Sequence, residues 1–129
     1  MMTLDAAREQ LGFHSGADPR IDDPRWENGH LSTLRPYRGL RPDVMANVME
    51  CVDSIAEHLR DAAELDRHIV SSLWGIVHFT RAWALHPEGM LKRNRLITAE
   101  DAATLEEWLS TLSYRIALLL DGSGDEAGP

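Results

Sequence analysis

The fold is decided by residues 66–85, whose sequence is DRHIVSSLWGIVHFTRAWAL. When these residues are placed on a helix, apolar side chains occur on nearly every side, which is typical of a helix inside a protein. Asp66 is a good N-cap residue, and Leu65 and Val70 have the spacing of a hydrophobic staple around it. The sequence therefore predicts a central, buried helix over 66–85.

Two further long helices are predicted, one on each side of the central helix in the sequence. Residues 43–64 place apolar side chains at core spacing and charged ones on the opposite face. Residues 98–121 begin at a Thr98 N-cap and carry a heptad seam of apolar residues. The link between the first two helices is short, so we expect them to be antiparallel neighbours. One continuous helix over 43–85 is the alternative.

The N-terminal third has a different character. Residues 3–11 predict a short amphipathic helix that stops at Gly12 and fills a fourth corner of the bundle. Residues 14–41 show neither a helical nor a strand period, which indicates an extended arm containing proline and arginine and wrapped over the body. The predicted fold is thus all-α, a helical bundle of three long helices, a short N-terminal helix and this arm. It forms a single domain over 1–121, with a disordered tail at 122–129.

Composition restricts the class of protein. The net charge is −8, and the whole acidic excess falls on residues 42–129. Such a body repels phosphate backbones, which disfavours nucleic acid as a partner. The single cysteine, the lack of an apolar signal region and the lack of a membrane-length apolar run predict a cytoplasmic protein that does not contact a membrane.

No sequence motif indicates catalysis, metal binding or nucleotide binding. Cys51 flanks the core stripe of its helix, where a thiol is usually inert, and no glycine-rich loop follows a strand. Helical di-metal sites repeat a Glu-x-x-His pair on two helices, and none of His58, His68, His78 and His86 has a glutamate three residues before it. Residues 90–98 resemble a helix-turn-helix turn, but Glu100 and Asp101 would meet phosphates. We predict no enzyme, no metal and no cofactor.

Two groups of residues are candidates for binding a partner or ligand. Arg35, Arg38 and Arg41 recur every third residue around Tyr37, so in a polyproline-type segment they would line one edge and bind an acidic partner. The alternative is that they attach the arm to the protein's own acidic helices. Another basic cluster, at 92–95, would cap a helix or meet a partner.

The second group is a polar and aromatic stripe on the central helix. Its members follow three- or four-residue spacing: Arg67, Ser71, Trp74, His78 and Arg81. Either these are satisfied core groups with Arg81 extending to the surface, or the stripe lines a groove with Trp74 and Trp83 as anchors. Ser71 and Gly75 are small enough to allow close approach of another helix.

These observations predict a small acidic helical protein-interaction module without catalytic activity. An adaptor, an accessory subunit and an antitoxin or immunity-type inhibitor all fit, with another protein as partner or with a second copy in a homodimer. The alternative is a small-ligand or effector-binding domain whose pocket at the central helix contains Trp74, His78, Arg81 and Arg38. Nucleic-acid binding through the arginine arm is a third hypothesis.

Overall fold

The computed structural model describes residues 1–122, and these are mostly helical, without a strand in that range. The all-α class is therefore confirmed. The helices are α1 (Leu4–Ser15), α2 (Pro24–Glu27), α3 (His30–Leu34), α4 (Pro42–Leu59), α5 (Arg67–Thr80), α6 (Met90–Arg93) and α7 (Ala99–Asp121). A π-helical turn, Arg81–Leu85, continues α5. Apart from Gly122, the predicted tail lies outside the described residues.

Four helices, α1, α4, α7 and α5, form a closed ring around the core. Both α1 and α7 pack against α4 and against α5, whereas α4 and α5 face each other across a diagonal. The expectation that α4 and α5 are adjacent is therefore wrong. The side chains of α1 explain this arrangement, because Ala7 and Leu11 are completely buried and hold α1 at the fourth corner.

Ion pairs and hydrogen bonds between the helices define their directions. Arg115 of α7 contacts Asp53 of α4 at 2.5 Å, and Tyr37, just before α4, contacts Asp101 near the start of α7, so α4 and α7 run parallel. Arg81 contacts Glu106 at 3.5 Å, so the end of α5 lies near the start of α7 and this pair is antiparallel.

Two predicted helix ends are wrong for the same physical reason, which is burial. The first helix continues through Gly12 to Ser15 because Phe13 and His14 are also buried, and the left-handed cap is Gly16, with φ 74°. Conversely, α4 ends at Leu59 because residues 61–64 are all exposed and have no core to contact. The break at residues 60–66 also excludes one continuous helix over 43–85.

The central helix is not buried on every side, which corrects the main expectation from the sequence. One face of α5 is buried and includes Ile69, Leu73 and Ile76. On the opposite face, Trp74 is 66% exposed and Phe79 is 41% exposed. The neighbouring helices cover only one side of α5, so its other apolar side chains remain at the surface.

Residues 14–41 wrap over the bundle, but they do not form an extended arm. They contain α2 and α3, and the buried imidazole Nε2 of His30 lies 2.8 Å from the Thr80 hydroxyl of α5. The Tyr37 hydroxyl donates a hydrogen bond of 2.6 Å to Asp101 of α7. These contacts fix the segment to both α5 and α7. Across residues 1–122, no helix combines the length and apolarity needed to cross a membrane.

Candidate interaction surface

Four ring side chains form a continuous series along the exposed face of α5 and the π-helical turn, and we call them the aromatic ladder: Trp74, His78, Phe79 and Trp83. The Trp74 and His78 rings stack with centroids 5.8 Å apart. His78 meets Phe79 edge-on at 5.0 Å, and Phe79 lies 5.2 Å from Trp83. Such ring pairs contribute about 0.5–1.5 kcal/mol beyond area burial, so each ring helps to hold the next in position.

The local sequence explains why the rings contact one another. Trp74 and His78 are four residues apart, as are Phe79 and Trp83, which is the spacing that places side chains side by side on a helix. The π-helical turn closes with a hydrogen bond of 2.8 Å from the His86 N–H to the Arg81 carbonyl. This bond, from residue 86 to residue 81, marks the end of the helix, and Trp83 lies within the turn that it closes.

Basic groups flank the aromatic ladder. The guanidinium carbon of Arg35 lies 5.5 Å from the Trp83 ring centroid, in cation–π geometry. Arg81 is half exposed and pairs with Glu106 at 3.5 Å. Arg67, at the start of α5, is exposed and makes no ion pair within residues 1–122. The surface is therefore aromatic in the middle and cationic around its edge, on a protein whose net charge is −8.

The predicted stripe on the central helix lies together on this exposed face. Arg67, Ser71, Trp74, His78 and Arg81 are all exposed, so they are not satisfied core groups. Gly75 does not mediate close helix packing, because an added Cβ would meet only the Phe79 ring, at 4.0 Å. Of the residues predicted in the arm, only Arg35 joins this face.

The other predicted arm residues separate from Arg35, so the idea of one arginine-lined edge is wrong. Gly39 has φ 106° and turns the chain, which excludes a continuous polyproline segment. Arg41 pairs with Asp43 at 2.9 Å, and Arg38 and Arg41 both line a hollow beside Glu27 that does not include Arg35. Tyr37 is engaged with Asp101, so it attaches the segment to the body.

Phe79 is the residue of this surface that sequence reasoning missed. The expectation of an all-round buried helix assigned it to the core, although it is 41% exposed. The available signal was its four-residue spacing from Trp83, combined with a position next to His78 in the stripe. Adjacent helix positions can share one edge of a surface when their side chains are large and aromatic.

A second polar arrangement lies away from the ladder, at a pocket of about 240 Å³ beside α1 and α4. His14 Nδ1 accepts a hydrogen bond of 3.1 Å from the His30 backbone N–H, so Nε2 carries the proton and donates to Asn47 at 2.7 Å. Asn47 in turn donates to Gln10 at 3.0 Å. Burial lowers the pKa of His14. Each polar group in this series has its hydrogen-bonding partner in the next, so the arrangement has a structural role.

No reactive group stands out on the part of the chain that the structure describes. The Cys51 thiol is completely buried, and burial raises its pKa to about 12. A thiol in that environment is a small apolar side chain rather than a nucleophile. Within residues 1–122, no three His, Cys, Asp or Glu side chains are placed to hold a metal ion.

Comparisons of the chain with protein-family models, with curated proteins and with solved structures gave no match.

Proposed function

We propose that this protein is a small helical interaction module that binds another protein through the aromatic ladder. The observation that carries the proposal is the exposure of Trp74, 66% of whose surface faces solvent although it stacks on His78. Contiguous exposed aromatic surface is uncommon on monomeric proteins and marks contact sites. Tryptophan and arginine are also the residue types that dominate binding energy at protein interfaces.

The chemistry of the surface indicates the kind of partner. Apolar side chains would cover the rings, and carboxylates would meet Arg35 and Arg67 around them. An amphipathic segment with acidic flanks provides both features, and the charges would guide its approach. An adaptor, an accessory subunit or an antitoxin or immunity-type inhibitor is a role that such a surface would serve, without catalysis by this chain.

A second copy of this protein is a less favoured partner for the same surface. A two-fold pairing of antiparallel α5 helices would bring Arg67 of one copy toward the Arg81 end of the other. Each copy also has a net charge of −8, which opposes association. Sedimentation equilibrium distinguishes the two, because a heterologous partner predicts a monomer for the isolated protein.

The alternatives predicted from the sequence have less support. Trp74, His78 and Arg81 lie on an open face rather than around an enclosed space, and Arg38 lies elsewhere, so an effector pocket there lacks walls. Arg35 lies over Trp83, whereas Arg38 and Arg41 line a different hollow and Arg41 is paired with Asp43, so the three do not form a continuous cationic track for nucleic acid.

The proposal is tested with Trp74→Ser and a matched control, Ile21→Ser. Ile21 is 65% exposed and lies outside the ladder, so both variants remove a similarly exposed apolar side chain. Proteins captured from the producing cells by wild type are purified, and their affinity for wild type, Ile21→Ser and Trp74→Ser is measured by calorimetry. We expect Trp74→Ser to weaken binding by roughly 30-fold or more, as for an interface hot spot.

Equal affinity of the purified partner for wild type and Trp74→Ser would exclude the ladder as the binding surface. Failure to capture any protein under native conditions would count against an interaction module as such.

A further inference from the structure

A hollow at the base of α7 is separate from the aromatic ladder, and we propose that it binds a small carboxylate with an apolar body. The hollow has a volume of about 540 Å³ and lies between the segment that precedes α7 and the first two turns of that helix. Small-molecule sites in proteins have volumes of this order. This inference does not depend on the protein partner proposed above.

The floor of the hollow is apolar. Leu85, Ile97 and Ala102 line it, and each is less than a tenth exposed. Ala99 and Ala103 lie beside Ala102 on the same wall, and their short side chains leave space that longer residues would fill. A bound group with an aliphatic or aromatic body would bury its surface here at a gain of about 25 cal/mol per Å².

The cations at the rim have no partner within the described part of the chain. Lys92 and Arg95 both line the hollow, and neither makes an ion pair within residues 1–122. Arg35, Arg38, Arg67 and Arg93 also make no ion pair within those residues, but Lys92 and Arg95 line one hollow together with its apolar floor. Other arginines of the chain pair with carboxylates: Arg8, Arg20, Arg25, Arg41, Arg60, Arg81 and Arg115.

One carboxylate of the protein also lines the hollow, and its charge is already balanced. Glu106 is held by Arg81 at 3.5 Å, so Lys92 and Arg95 are left for an anion from outside. One ammonium and one guanidinium above an apolar floor match a single carboxylate on an apolar body. Ligands with three or more negative charges would need more cations than the hollow provides.

The backbone before α7 places this rim. Arg95 has φ 57°, a left-handed conformation, and its N–H donates to the Lys92 carbonyl at 3.1 Å. The Leu96 N–H then donates to the Leu91 carbonyl at 2.8 Å. These bonds close the end of α6 and turn the chain toward Ile97, so both cations line the same hollow as the apolar floor.

The test is a ¹H–¹⁵N NMR titration of the full chain with 4-phenylbutyrate, which joins one carboxylate to an apolar body. We expect saturable shifts confined to amides of residues 85–106. The neutral analogue 4-phenylbutanamide should bind at least about tenfold more weakly, since it lacks the charge that Lys92 and Arg95 recognise. Inorganic phosphate, which lacks the apolar body, should be similarly weak.

Three variants locate the site. The double variant Lys92→Gln, Arg95→Gln should weaken binding by about tenfold, whereas Arg93→Gln removes a neighbouring charge that does not line the hollow and should leave binding unchanged. Ala103→Met fills the hollow from an exposed helix position, so it should abolish binding while the spectrum stays folded. The Trp74→Ser variant should bind the probe as wild type does.

Several outcomes would overturn the proposal. These are the absence of saturable shifts at millimolar probe, equal binding of the amide, equal binding of phosphate, and retained binding in folded Ala103→Met. Loss of probe binding in Trp74→Ser would show that the hollow is not independent of the ladder. Because partner binding is measured separately, failure of this site leaves the proposed function intact.

Discussion

His14 and His30 are joined directly, through a hydrogen bond of 3.1 Å from the His30 backbone N–H to the His14 Nδ1 atom. Both imidazoles are buried, and the His30 Nε2 atom also lies 2.8 Å from the Thr80 hydroxyl. Burial lowers the pKa of His14 and lowers that of His30 to about 3. This pair attaches the segment that contains α3 to α1 and to α5. Because both imidazoles are buried, this arrangement requires both histidines to be neutral.

The first prediction is that stability falls as the pH drops below about 6.5, the ordinary histidine pKa. The unfolded chain then binds protons that the folded protein excludes, so stability is complete above that pH and is lost below it. We expect His30 to contribute a decrease of about 1.4 kcal/mol per pH unit below that pH, and the lowered pKa of His14 to add to the decrease in the same direction. Urea unfolding at pH 7.5, 6.0 and 5.0 measures this slope.

The matched control is His78→Gln, which removes an exposed histidine and should keep the slope. Carboxylates do not account for a change of stability in this pH range. The Arg20 and Arg25 guanidiniums lower the pKa of Glu9 from its ordinary 4.5, so the stability that this carboxylate contributes is lost only at lower pH. A free energy of unfolding that is constant between pH 7.5 and 5.0 would contradict the prediction.

Tyr37→Phe should destabilise the protein by about 1–3 kcal/mol, the range for a hydrogen bond to a charged group. The lost bond, 2.6 Å long, joins the segment before α4 to Asp101 of α7, and burial together with Asp101 raises the pKa of Tyr37. Chemical denaturation measures the change. If this bond is responsible, the double variant Tyr37→Phe, Asp101→Ala should cost less than the two single changes added together.

Two glycines should respond oppositely to alanine. A Cβ at Gly29 would overlap the Phe13 backbone carbonyl, so Gly29→Ala should cost about 1–3 kcal/mol. Gly75 has open space and a helical backbone, so Gly75→Ala should stabilise by about 0.5–1 kcal/mol. Thermal melts of both variants test the pair, and a destabilised Gly75→Ala would indicate close packing there after all.

Neighbouring residues of α5 should differ strongly when truncated. Leu73 is 1% exposed, so Leu73→Ala should cost about 2–5 kcal/mol. Trp74→Ala removes a larger side chain, yet the change should stay within about 1 kcal/mol, since most of that side chain faces solvent. A large loss of stability in Trp74→Ala would mean that the ladder is part of the core.

The Cys51 thiol should react with a thiol reagent roughly 10³-fold or more slowly than in the unfolded chain. The residue is completely buried and its pKa is raised to about 12, so labelling requires the protein to open. Ellman's reagent with and without denaturant measures the ratio. Fast labelling of the folded protein would show that α4 opens locally.

The sequence predicted the element types well and their neighbours less well. The seam of α7, from Ala102 to Leu119, is buried as predicted because a heptad pattern directly reports one apolar face. The surroundings of α5 were mispredicted because apolar residues on all sides indicate burial only if other elements cover them all. Trp74 and Phe79 show that a surface can have the same local pattern as a core.

The sequence predicted only the part of the candidate surface that lies on α5. Regular spacing placed Arg67, Ser71, Trp74, His78 and Arg81 on one face without knowledge of tertiary structure. The approach of Arg35 to Trp83 depends on how α3 docks through His30, a contact between residues distant in sequence. Neither spacing nor composition contains that information.

The π-helical turn at Arg81–Leu85 has a consequence for insertions and deletions. An α-helix rotates by about 100° per residue, so one residue added or removed in this turn changes the angular phase of everything after it. Deleting a residue there would restore a regular helix and rotate α6, together with the two cations of the hollow, away from the base of α7. A single-residue change in length would thus alter the hollow while leaving Trp74 and His78 in place.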